Sequence, residues 1–129
     1  MNQKQSLLTA ALLGALTVMI GAFGAHALRP SLEAAGRLET FETAIKYQMY
    51  HTLTIFLIGL LQLHLPLKQL RTASLLLLLG IVVFSGSLYV LCLSGITVLG
   101  AVTPFGGVLF IAGWLYLFLA ISKLPLQKQ

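Results

Sequence analysis

The chain has 129 residues, of which eight are Lys or Arg and three are Asp or Glu. That 9% charged fraction compares with about 25% in an ordinary soluble domain. With 58% hydrophobic residues and a mean hydropathy of +0.96, the chain has too few polar groups to cover a soluble fold, so the composition requires a lipid bilayer. The formal charge of +5 does not mark a nucleic-acid partner, because the basic residues form no patch. Lys4, Lys68, Arg71, Lys123 and Lys128 lie at the ends of apolar stretches, while Arg29, Arg37 and Lys46 share one polar segment with all three acids. Cys92 has no second cysteine to pair with and reads as a small apolar packing residue.

The first apolar stretch, Leu7 to Leu28, is long enough to cross a bilayer. It imitates a secretory leader, with Lys4 before it and Ala25-His26-Ala27 resembling a cleavage site. Its apolar run from Leu7 to Gly24 is 18 residues, longer than the ~7–15 of a leader, so an uncleaved span is expected. An intact mass that retains Met1, or lacks only that residue, is the expected measurement; a mature chain beginning at Leu28 would leave three spans. Ala10, Gly14, Thr17, Gly21 and Ala25 place small residues on one face, where a neighbouring helix of the same chain can approach closely.

Arg29-Pro30 should end that helix, since proline disfavours helical geometry at the preceding residue. Ser31 is then a candidate N-cap for an amphipathic interfacial helix over about 31–43, with Leu32, Ala35, Leu38, Phe41 and Ile45 as its apolar stripe. A solvated helical hairpin is the alternative. The second span covers about 44–65 and stops at Pro66, and the short 66–71 connection makes it an antiparallel neighbour of a third span over about 72–93. Ser94-Gly95 turns the chain into a fourth span over about 98–121. There Thr103-Pro104 marks either a kink inside the helix or its true beginning.

The pattern predicts an all-α integral membrane protein of one domain: four transmembrane helices in an antiparallel bundle, with the interfacial helix between the first two. Counting Lys and Arg orients it. The N-terminus, the 66–71 connection and the C-terminus hold five, the opposite side three, so both termini are expected in the cytoplasm.

Placed on that topology, polar residues gather toward the extracytoplasmic side: His26, then Tyr47, Gln48, Tyr50, His51 and Thr54, then Ser85, Ser87 and Tyr89, then Thr103. Depths counted at 1.5 Å per residue let His26 and His51 converge with Tyr89 or Ser85 in one network. The inner half has almost no such groups. Unpaired polar groups in lipid cost several kcal/mol, so these side chains should face inward and bond one another. Two functions suit such a cluster. One is a structural network that fixes helix packing; the other is a site for a small ligand, a proton or a lipid headgroup, built from His26, Tyr47, Gln48, His51, Ser85, Ser87, Tyr89 and Thr103.

Other chemistries lack their residues. Two imidazoles are half a metal site, and no H-x-x-x-H, C-x-x-C or E-x-x-H spacing occurs. No Asp, no acidic pair within a span, no nucleophile motif and no phosphate-binding glycine loop is present, so neither an enzyme nor a cofactor is expected. Ser85-Gly86-Ser87 and Gly106-Gly107 read as close-packing points, and His64 as an interfacial residue at the inner end of the second span.

Five strings in order carry a resemblance: Gly21-Ala22-Phe23-Gly24-Ala25-His26, Tyr47-Gln48-Met49-Tyr50-His51-Thr52, Phe84-Ser85-Gly86-Ser87-Leu88-Tyr89, Thr103-Pro104-Phe105-Gly106-Gly107 and Ala112-Gly113-Trp114. Together they resemble the small bacterial membrane proteins called domain of unknown function 423, or uncharacterised protein family 0382, to which vertebrate transmembrane protein 256 is similar. The resemblance implies a four-helix protein of the bacterial inner membrane with no established activity and no catalytic residues to carry over. A homo-oligomer or a membrane-protein partner is compatible with it.

Overall fold

The computed structural model describes residues 1–124, so the counted Lys128 and the chain end lie outside the described residues. Every described element is helical: α1 (Gln3–Ala25), α2 (Arg29–Ala34), α3 (Leu38–Leu61), α4 (Lys68–Ser94), a 3₁₀ turn (Thr97–Ala101) and α5 (Thr103–Ile121). Three segments are long and apolar enough to cross a membrane: α1, α4, and the 3₁₀ turn taken together with α5. Although α3 has 24 residues, its first fourteen carry Glu39, Glu42, Lys46, Gln48 and His51, and this keeps it out of that group.

The helices begin earlier than the apolar stretches do. α1 starts at Gln3 because Asn2 and Gln5 form a reciprocal capping box, each side chain accepting from the other's backbone N–H at 2.9 Å. α4 starts at Lys68, directly after the extended Leu67. The segment expected as one interfacial helix over 31–43 is broken. α2 ends after six residues, Gly36 takes a left-handed φ of 63°, and Leu38 opens α3, which then runs unbroken into the bundle. Pro30 does not stand outside α2; it lies in its first turn, where a missing N–H costs nothing. Ser31 is therefore not an N-cap, and its hydroxyl donates to the Leu28 carbonyl. Thr103-Pro104 opens α5 rather than kinking a longer helix, and the residues before it wind as the 3₁₀ turn.

α1 packs on α3, α3 on α4, and α4 on α5. Contacts at both ends fix an alternating up-and-down order. Gly24 of α1 meets Phe41 near the start of α3, whereas Leu7 meets Gly59 near its end. Gly106 of α5 meets Phe84 of α4, and Gly113 meets Leu77, about two turns nearer the start of α4. Most of the small-residue face of α1 lies on α3: Gly14 and Gly21 stand opposite Thr52 and Ile45, and Ala10 and Thr17 are buried, while Ala25 is exposed. At the closest helix approaches there is no room for a Cβ, which is how small residues let apolar helices pack where lipid offers no hydrophobic drive. Gly86 and Gly107, grouped with these in the sequence reading, have open space around them instead.

One core cluster joins Ile55, Ile58, Leu70, Leu77, Ile81 and Phe110; a smaller one joins Leu32, Phe41 and Cys92 at the end where α2 folds back. Arg37 belongs to that second end. Its guanidinium donates to the Cys92 carbonyl at 3.4 Å, and Gly95, at φ 79°, ends α4 beside it. A cation at a helix C-terminus is favourable, which gives Arg37 a structural reason to stand apart from the other basic residues.

Candidate functional site

Gln48 is the centre of the polar arrangement. It enters on α3 ten residues after Leu38, about 15 Å along the axis, and is 4% exposed. Its amide nitrogen donates to Thr17 Oγ1 of α1 at 2.8 Å and, more weakly, to the Leu13 carbonyl at 3.5 Å. The Tyr89 hydroxyl of α4 donates to its amide oxygen at 2.8 Å. One side chain thus ties three helices together, and both ends of its amide are engaged.

Beside this junction lies an aromatic layer. The His51 ring stacks on Phe110 of α5 with centroids 3.5 Å apart and planes within 5° of parallel, and its Nδ1 pairs with the Tyr47 carbonyl one turn back at 2.7 Å. Tyr47 stacks on Phe84 of α4 at 4.7 Å. The remaining polar groups bond in pairs. Ser85 donates to the Ala44 carbonyl at 2.8 Å, joining α4 to α3, and Ser87 meets Thr103 Oγ1 at 2.9 Å, joining α4 to α5. Thr54 bonds within α3, to the Tyr50 carbonyl. Thr52 Oγ1 is, among the described residues, the buried side-chain polar atom left without a partner.

The eight cluster residues are not one network. Gln48 and Tyr89 meet, Ser87 and Thr103 meet, and Tyr47 and His51 form the aromatic layer, with Ser85 bonding to backbone alone. His26 joins none of them: α1 ends at Ala25, and His26 is its exposed C-cap. The expected meeting of His26 and His51 with Tyr89 or Ser85 does not occur. Its depth count had α3 starting at Ala44; the helix starts at Leu38, so His51 lies thirteen residues, ~20 Å, from its beginning. There it faces Phe110 rather than α1.

Two features escaped the sequence reading. Thr17 is a hydrogen-bonding member of the junction, not only a small residue; a threonine on the packing face of α1 was the available signal. The opposite end of the bundle also has buried polar groups. Ser6 donates to Gln62 at 3.2 Å, the Gln62 amide donates to the Met1 carbonyl at 3.1 Å, and Ser74 donates to the Arg71 carbonyl. Ser6 lies inside a helix because α1 starts four residues before the apolar stretch, whereas Gln62 is the C-cap of α3 and Ser74 stands in the second turn of α4. The Met1 ammonium donates to the Arg71 carbonyl, and partial burial, aided by the Arg71 charge, holds it below the ordinary value for an amino terminus.

An all-helical fold with long apolar helices, several of whose buried polar groups join one helix to another, defines a helical membrane protein. Residues 20–107 match the family described as "Protein of unknown function (DUF423)". The chain is 47% identical over 116 residues to a UPF0382 membrane protein of Staphylococcus haemolyticus, covering 87% of this chain and 93% of the relative. It is 42% identical over 109 residues to the UPF0382 membrane protein YwdK of Bacillus subtilis, covering 84% and 88%, and 37% identical over 124 residues to the UPF0382 inner membrane protein YgdD of Escherichia coli, covering 96% and 94%. The chain belongs to this DUF423/UPF0382 family of membrane proteins, whose descriptions carry no activity. No solved structure matches it.

Proposed function

We propose that the protein is a non-enzymatic, four-span packing module of the bacterial inner membrane, an accessory or structural bundle whose polar groups hold its helices in one arrangement. The observation that carries this reading is the occupation of Gln48: a site that awaits a ligand keeps polar capacity free, and here both ends of the amide are bonded to other helices. Ser85, Ser87, Thr103 and His51 are likewise paired inside the protein.

The finer topology belongs to the same proposal. α3 serves as the second span from about Ala44 onward, with its charged first turns and α2 at the outer surface. Both termini are cytoplasmic, supported by the weight of Lys and Arg at the Lys4–Arg71 end; the name of the Escherichia coli relative supports the inner membrane as the location. A phosphatase or fluorescent reporter fused after Gln129 is expected to report a cytoplasmic position; periplasmic activity would overturn the orientation or the number of spans.

A second reading, in which the cluster receives a small ligand, has one observation in its favour. Tyr89 lines an apolar groove of about 370 Å³ with Met19, Ile20, Phe23, Phe41 and Leu93, beside the junction. Tyr89→Phe separates the two readings. Lower thermal stability follows from the packing role, whereas loss of a co-purifying molecule at unchanged stability follows from the binding role.

A further inference from the structure

The other end of the bundle carries a feature that the packing role does not use. A cavity of about 330 Å³ opens where the first turns of α1 and α4 and the end of α3 come together, lined by Asn2, Gln3, Lys4, Gln62, Leu67 and Arg71. That volume lies at the low end of ordinary ligand pockets. Two of its walls are cations, and both side chains are exposed enough to reorient toward an occupant.

No acidic side chain of the chain lies near it. The three carboxylates, Glu33, Glu39 and Glu42, belong to α2 and the first turns of α3. Glu42 and Gln62 are twenty residues apart on the path of α3, ~30 Å at 1.5 Å per residue. Glu33 and Glu42 are moreover paired with Arg29 and Lys46. Lys4 and Arg71 therefore stand together at the end of the membrane helices without a carboxylate counter-ion on any side chain.

The uncharged walls narrow the choice of occupant. The Asn2 carboxamide oxygen already accepts from Gln5, and the Gln62 amide is used at both ends, so what remains for an occupant is chiefly positive charge. Leu67, the N-cap of α4, offers no side-chain acceptor to that helix's first-turn amides, which adds uncapped N–H groups on the same side. Cations with spare N–H donors are complementary to phosphate oxygens, which Arg engages in bidentate fashion and Lys as a point charge. The position, at the terminus of apolar helices, is where lipid headgroups lie.

We propose that this cavity binds a phosphate-ester anion through Lys4 and Arg71. The anion comes either from an anionic lipid headgroup or from a small phosphate in solution. The proposal is independent of the packing role of Gln48 and of the orientation of the bundle, because only the Lys4–Arg71 end is involved.

The test uses the purified full chain in a zwitterionic detergent, titrated separately with phosphatidylglycerol, phosphatidylcholine and inorganic phosphate, with bound species counted by native mass spectrometry. Phosphatidylglycerol is expected to be retained over phosphatidylcholine. The Lys4→Gln/Arg71→Gln variant should bind it about 25-fold more weakly, the product of roughly fivefold per cation facing anionic lipid. Lys46→Gln, at the far end, should leave binding unchanged, and Lys4→Arg/Arg71→Lys should restore most of it. Retention of inorganic phosphate, lost in the same double Gln variant, identifies the soluble source; retention of phosphatidylglycerol alone identifies the lipid. Equal binding of both lipids without phosphate binding overturns the proposal. So does equal weakening by Lys46→Gln, or undiminished binding in a double Gln variant whose helical content matches the parent.

Discussion

Gln48→Leu is expected to lower the stability of the detergent-solubilised protein by about 1–3 kcal/mol, the cost of leaving buried polar groups without partners. Leucine has nearly the volume of glutamine and suits the surrounding helices, so packing loss contributes little. What is lost is the acceptor of the Tyr89 hydroxyl and the donor to Thr17. Thr17 keeps a bond to the Leu13 carbonyl of its own helix, at 2.6 Å, so most of the penalty falls on Tyr89. A double-mutant cycle with Tyr89→Phe checks this, since the second change removes the stranded hydroxyl and should recover part of the loss. Coupling within membrane proteins averages about 0.6 kcal/mol and reaches about 1.7, and the geometry of this pair puts it toward the upper figure. A melting temperature that does not move on Gln48→Leu would show that the junction does not hold the helices together.

Gly106→Ala and Gly107→Ala, one residue apart, should differ sharply. A Cβ built at Gly106 collides with Phe84, lying 2.6 Å from its Cβ and 2.7 Å from its Cα, with the backbone nitrogen also in the way. Backbone cannot swing aside as a long side chain can, so α4 and α5 must move apart. Overpacking of this kind costs about 1–3 kcal/mol, and Gly106→Leu should exceed that range. At Gly107 nothing lies within 4 Å, so an alanine is tolerated. Thermal unfolding of the two variants side by side is the measurement. Equal stabilities would mean that α5 does not sit as close on α4 as the structure places it.

The helical class was legible because it depends on composition and on runs of apolar residues, both local properties. The short connection after Pro66 and the turn at Gly95 were legible for the same reason: proline and glycine act on their own backbone. The small-residue face of α1 was visible at its spacing of three and four, since helix periodicity puts those positions in line whatever the partner. The break at Gly36 was harder to see. The apolar positions of 31–43 continue in register across it, and the structure still buries Leu32 and Phe41 on one side while starting a new helix at Leu38.

Helix limits were misread wherever polar residues continue a helix past its apolar run. Asn2 and Gln5 extend α1 backward, and charged side chains extend α3 into Glu39 and Glu42. Each shift of a few residues changes the depth counted from the helix end by several ångströms, at about 1.5 Å per residue. That error displaced His51 from the partners assigned to it.

The sequence by itself determined that this is a helical membrane protein, that its chain turns after Pro66 and at Gly95, and that its polar residues in apolar surroundings need partners. Those conclusions rest on solvent preference and backbone stereochemistry, which each residue carries with it. Only the tertiary structure decided the pairing: Gln48 with Thr17 and Tyr89, His51 against Phe110, His26 with no partner from the cluster, and Lys4 beside Arg71 around one cavity. The reason is geometric. A hydrogen bond or a stacked ring depends on the rotation and depth of two helices to within about an ångström, and those are set by the glycine contacts between helices rather than by either segment alone.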